Sequence, residues 1–115
     1  KQNFVFSNNI QTTVTKNNMI SQLYNIEQVN KYKLKNVSVI YKTKDIAIVK
    51  QIVTDKAIMI YKPSNEFKLG FNYNFTVNEI DIYNGLKEIK KVSDIEINGK
   101  ILILKNYISM EIKLI

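Results

Sequence analysis

Catalysis needs groups that trade protons or electron pairs, and this sequence is short of them. It contains no histidine and no cysteine. That removes the usual general base, the usual proton shuttle and the commonest transition-metal ligand, together with any thiolate nucleophile, disulfide or cysteine-bound zinc. Carboxylates recur at two suggestive spacings, Glu79 with Asp81 and Asp94 with Glu96. Either pair could serve as a hydrolytic acid and base or hold a hard cation. Charge at every second residue is also what a solvated strand face presents, and that reading is preferred. The glycines, Gly70, Gly85 and Gly99, are too dispersed for a phosphate-cradling loop, and no serine has a base partner in view beyond a lysine. The sequence therefore predicts no enzyme, no metal site and no cofactor.

What remains is aromatic and basic. Tyr41, Lys42 and Lys44 come together in sequence, Lys50 follows within the next apolar run, Tyr61 and Lys62 are adjacent, and Tyr83 and Lys87 flank Asn84-Gly85. Tyrosine rings can stack on bases while lysines track phosphates. The formal charge of +7 and a pI near 9.5 suit a polyanionic partner. Every one of the 17 basic residues is lysine, a bias that AT-rich coding produces without any selection for binding. Arginine is the residue favoured for bidentate contacts to phosphates and bases, so its absence argues against a surface that reads sequence. The plainer reading is that the tyrosines pack with their hydroxyls in water and the lysines keep the chain soluble.

These residues must be positioned by strands. The chain has 115 residues, 45% of them hydrophobic, enough for one domain with a core. No apolar run approaches the ~20 residues of a membrane-spanning helix. Residues 1–16 read as a lead-in arm. Met19, Leu23 and Ile26 recur at helical spacing behind Asn17 or Asn18 as N-cap, which predicts one short helix. Branched and aromatic residues then predict strands over 34–41, 46–53 and 57–61, with a turn at Thr54-Asp55-Lys56. A loop containing Pro63 leads to a fourth strand over 72–82. Asn84-Gly85 predicts a two-residue hairpin into a fifth strand ending near Val92, with Ile82 facing Lys87, Asp81 facing Glu88, Ile80 facing Ile89 and Glu79 facing Lys90. The apolar parity shifts between Val77 and Ile80, so a β-bulge is expected near Asn78-Glu79. Asn98-Gly99 predicts a second hairpin, leading into Ile101–Leu104 and an alternating strand from Ile108 to Leu114.

Residues 26–92 resemble small barrel domains of the oligonucleotide/oligosaccharide-binding (OB) type that accompany bacterial exported nucleases and occur in extracytoplasmic lipoproteins. Ile26-Glu27-Gln28-Val29 ahead of 34–40 is similar to the family's entry into its first strand. Phe67-Lys68-Leu69-Gly70 resembles its loop into the fourth strand, and Tyr83-Asn84-Gly85-Leu86-Lys87-Glu88-Ile89 its hairpin between strands four and five. The family usually carries an acidic residue where Phe71 follows Gly70, and residues 93–115 extend as strands beyond its pattern. The resemblance implies an all-β, mainly antiparallel, five-stranded Greek-key barrel with one short helix and an extracytoplasmic setting. It also implies a ligand face on strands two and three, flanked by the loops joining strands one to two and four to five. On that face Tyr41, Lys42, Lys44, Lys50, Tyr61, Lys62, Tyr83 and Lys87 would bind single-stranded DNA or RNA. Two rival expectations stand beside it: a protein partner adding to the exposed edge of 108–114, and carbohydrate held by the aromatic residues.

Overall fold

A computed structural model describes residues 18–51 and 55–100. Within them one helical turn, α1 (Ile20–Leu23), precedes five strands: β1 (Tyr32–Lys42), β2 (Ile46–Lys50), β3 (Ala57–Tyr61), β4 (Phe71–Tyr83) and β5 (Leu86–Lys100). They form one mixed sheet. β1 pairs antiparallel with β2 and β4, β2 with β3, and β4 with β5, while β3 and β5 run parallel through Met59 opposite Glu88 and Ile60 opposite Ile89. The ladders therefore run in a closed circuit, β1-β2-β3-β5-β4 and back to β1.

Alternation along these strands sends one parity inward. Leu34, Val39, Val49, Ile58, Phe75 and Ile89 meet in the core, each no more than 2% exposed. Phe67, from the loop between β3 and β4, enters the same core edge-on to Tyr73 and Phe75, with ring centroids 5.1 and 5.2 Å away. Ile20 and Leu23 of α1 are buried against it.

The β4–β5 hairpin has the expected register from Ile80 opposite Ile89 to Tyr83 opposite Leu86, and both turn residues have positive φ, 54° at Asn84 and 80° at Gly85. One pair differs from expectation. Glu79 faces Lys91, not Lys90, because Asn78 on β4 and Lys90 on β5 each stand unopposed. The expected bulge at Asn78-Glu79 is thus accompanied by a second on the partner strand.

Asn98-Gly99 is not a hairpin. Gly99 faces Asn72 within β5, and Asn98 is a further unopposed residue, so β5 continues past Val92 to Lys100. Residues 93–100 are therefore the second half of the fifth strand and not a separate one. Only Gly99 of that pair has positive φ, 133°, whereas a type I′ turn needs it at both central residues.

The helix also starts differently. Its N-cap is Met19, whose N–H donates to Gln22 Oε1 at 3.0 Å, while Asn18 Nδ2 donates to the Lys33 carbonyl. Asn17, the arm over 1–16, the Thr54 end of the turn and everything from Ile101 onward, including the 108–114 edge, lie outside the described residues.

Candidate functional site

The outward parity of β2 and β3 is unusual because it too is apolar. Ala47 and Val49 point into the core, so Ile46 and Ile48 face outward; Ile58 and Ile60 point inward, so Met59 and Tyr61 face outward. Across the sheet Tyr41, Ile48 and Met59 form one row, and Ile46 and Tyr61 the next. Tyr41 is 52% and Tyr61 37% exposed, and the three aliphatic side chains between them are half-buried.

The turn between β1 and β2 fixes one end of this strip. Thr43 Oγ1 accepts hydrogen bonds from the N–H groups of Asp45 and Ile46, both at 3.1 Å, and the Thr43 N–H donates to the Ile46 carbonyl at 2.9 Å. The Asp45 carbonyl in turn accepts the Lys62 N–H at 2.7 Å. This backbone bond holds the β1–β2 turn, with Lys42 and exposed Lys44, against the end of β3, with Tyr61 and Lys62. Lys42 folds back so that its Nζ donates to the Thr43 carbonyl.

Around Tyr61 the charge is concentrated. Lys62 Nζ lies 5.7 Å and Lys90 Nζ 4.9 Å from the ring centroid, both within cation–π range. Lys90 reaches the ring because it follows Ile89, which faces Ile60, on the strand that runs parallel beside β3. Sequence reasoning missed it, along with Ile46, Ile48 and Met59. The signal for the aliphatic residues is present in retrospect: 46–49 and 57–60 are apolar at both parities, so each strand has an apolar outer as well as inner face.

Three expected site residues are placed elsewhere. Lys50, at the end of β2, is only 2% exposed, so it is a buried lysine and not part of the exposed set. Tyr83 and Lys87 lie at the other end of the sheet. The parallel seam puts Lys90 level with Tyr61 and Leu86 four residues farther back, about 13 Å at the strand rise. Tyr83 is 67% exposed there, beside Ile82 and Leu86. Lys87 is half-buried, and its Nζ donates to the carbonyls of Tyr24 and Ile26, where the chain leaves α1. Its ammonium is thus used in positioning that segment, and a second lysine, Lys56, has its Nζ 5.1 Å from the Tyr24 ring.

The carboxylates do not converge. Glu79 pairs with Lys91 at 3.4 Å, Asp81 accepts the adjacent Ile82 N–H, and Glu96 accepts from Asn74. Among the described residues no three His, Cys, Asp or Glu side chains are grouped to hold a metal ion, and no helix is long and apolar enough to cross a membrane. A surface hollow of about 240 Å³ lies at the hairpin end, lined by Glu27, Ile80, Asp81, Ile82 and Lys87, away from the Tyr61 cluster.

Compared with protein-family models, with curated proteins and with solved structures, the chain matches none of them.

Proposed function

We propose that this chain is a non-catalytic binding module of the OB type, and that single-stranded nucleic acid lies across the outer face of β2 and β3. The strand path supports the barrel reading. β1, β2 and β3 follow one another as neighbours, and β4 returns after the 62–70 connection to lie beside β1, which is the spatial order of a Greek key. In OB barrels that face, with the loop joining strands one and two, takes the ligand.

The observation that carries the functional reading is Tyr61, an exposed ring on a half-exposed apolar strip with two ammonium groups within 6 Å of its centroid. Bases stack on such a ring irrespective of identity, and lysines without arginine favour phosphate contact over base reading.

The test is a titration against single-stranded DNA and RNA over a range of salt. Tyr61→Ala should weaken binding by about 1 to 3 kcal/mol with little dependence on base. A chain that binds neither polymer even at low salt, where nonspecific attraction is strongest, is not a nucleic-acid module.

A protein-docking role has one observation in its favour: Ile82, Tyr83 and Leu86 are 61%, 67% and 51% exposed at the tip of the β4–β5 hairpin. An interaction module of that kind would be insensitive to Tyr61→Ala and would lose its partner on Tyr83→Ala.

A further inference from the structure

Two adjacent lysines on β5 have opposite fates. In a regular strand Lys90 and Lys91 would point to opposite faces. Here Ile89 faces Ile60 across the parallel seam, which brings Lys90 level with Tyr61, while Lys91 faces Glu79 on β4. Lys91 meets the Glu79 carboxylate at 3.4 Å. Lys90 meets no carboxylate among the described residues and lies over Tyr61 instead, 4.9 Å from the centroid, with the Lys62 ammonium 5.7 Å from the same point.

One positive charge is therefore compensated, while the other shares an aromatic ring with a second cation. The ring's negative face draws each ammonium. An anion at this cluster would meet two cations that pair with no carboxylate among the described residues. We propose that Lys90 and Lys62 form a phosphate subsite beside Tyr61, where the parallel seam brings β5 alongside β3, and that Lys91 takes no part in it. This rests on the nucleic-acid reading for its natural ligand: a base stacked on Tyr61 leaves its backbone phosphate next to these two ammoniums.

The adjacent lysine supplies an internal control, since Lys90→Gln and Lys91→Gln remove the same charge one residue apart. Binding of a labelled oligothymidylate, measured by anisotropy across a salt series, should show Lys90→Gln flattening the plot of log affinity against log salt by about 0.7, the single-strand increment for one phosphate. Lys91→Gln should leave the slope unchanged. Thermal unfolding of both variants establishes that each is folded, and Lys90→Arg should restore the slope. Equal flattening by both glutamine variants, or by neither, overturns the assignment.

A second probe separates the subsite from the nucleic-acid reading. Inorganic triphosphate offers the same phosphate chemistry without bases and can be followed by tyrosine fluorescence. If the parent chain binds triphosphate in a Lys90-dependent way but no oligonucleotide, the subsite stands and the nucleic-acid reading falls. If neither probe shows Lys90-dependent binding, the subsite falls.

Discussion

Tyr73 is 1% exposed, and its hydroxyl donates to the Glu66 carbonyl at 2.7 Å while accepting the Lys68 N–H at 2.8 Å, which fastens the β3–β4 loop to the core. Burial pushes its phenol above the ordinary value of 10.0, the Lys68 bond opposes that rise, and the Glu66 charge adds to it. Desolvation raises Tyr24 as well, and raises Tyr32 against the lowering influence of its Met19 bond. In each case the folded chain holds a proton that the unfolded chain releases near pH 10. The stabilisation is therefore fully present below about pH 10 and is lost as pH climbs through the raised folded values. Urea unfolding midpoints should fall on the alkaline side, and Tyr73→Phe should flatten that fall. At neutral pH the same substitution should cost about 1 kcal/mol, the net worth of a hydrogen bond, because Lys68 and Glu66 are exposed and can turn to water. An alkaline decline identical in parent and variant would show that Tyr73 is not its source. At this scale the sequence marked Tyr41, Tyr61 and Lys62 from their types alone. It could not show that Lys50 is buried or that Lys87 bonds to the carbonyls of Tyr24 and Ile26, because those partners come from other elements.

Among the elements, β5 is the most irregular. Lys90, one residue of the Asp94-Ile95 pair, and Asn98 each add a residue unmatched on β4, and Asp94 takes φ 53° to do so. Such insertions increase local twist and bend, which suits a strand that pairs with β3 near its start and with β4 along its whole length. Gly99 sits at one of these sites with φ 133°, and a Cβ placed there would meet nothing within 4 Å. Gly99→Ala should therefore cost about 1 to 3 kcal/mol from backbone strain alone. Gly85→Ala, at φ 80° and in equally open space, should cost about 1 to 2 kcal/mol. Equilibrium urea unfolding measures both, and a neutral Gly99→Ala would mean that the strand can flatten there. The two Asn-Gly pairs looked alike in sequence because both favour positive φ. What separates them is pairing: Asn84-Gly85 joins strands that face each other, whereas Asn98-Gly99 already has Asn72 and Tyr73 of β4 alongside.

At the scale of the whole molecule, closure depends on a short seam. Only two residue pairs join β3 to β5, Met59 with Glu88 and Ile60 with Ile89, and both isoleucines of that seam are essentially buried. Ile89→Ala removes core volume where the circuit closes and should destabilise by about 2 to 5 kcal/mol. Because each strand is held by two neighbours, near- and far-ultraviolet circular dichroism should report a single coincident unfolding transition. Separate transitions in the parent chain would show that the seam opens on its own.

Local rules were sufficient for much of this. Runs of branched and aromatic residues marked β1, β2 and β3, the spacing of Met19, Leu23 and Ile26 marked the helical turn although it ends three residues earlier at Leu23, and the demand for positive φ at Asn84 and Gly85 set the hairpin register from Ile80 to Leu86. Each of those features is encoded within a few neighbouring residues. The tertiary structure alone decided which parity of the 46–49 and 57–60 runs faces out, since a run apolar at both parities carries no sign of its own. It alone placed Lys90 beside Tyr61 and set Tyr83 at the opposite end, because the β3–β5 seam joins residues nearly 30 positions apart. Side-chain period and turn geometry are local properties of the backbone, but the choice of a parallel neighbour is made by the core when the circuit closes.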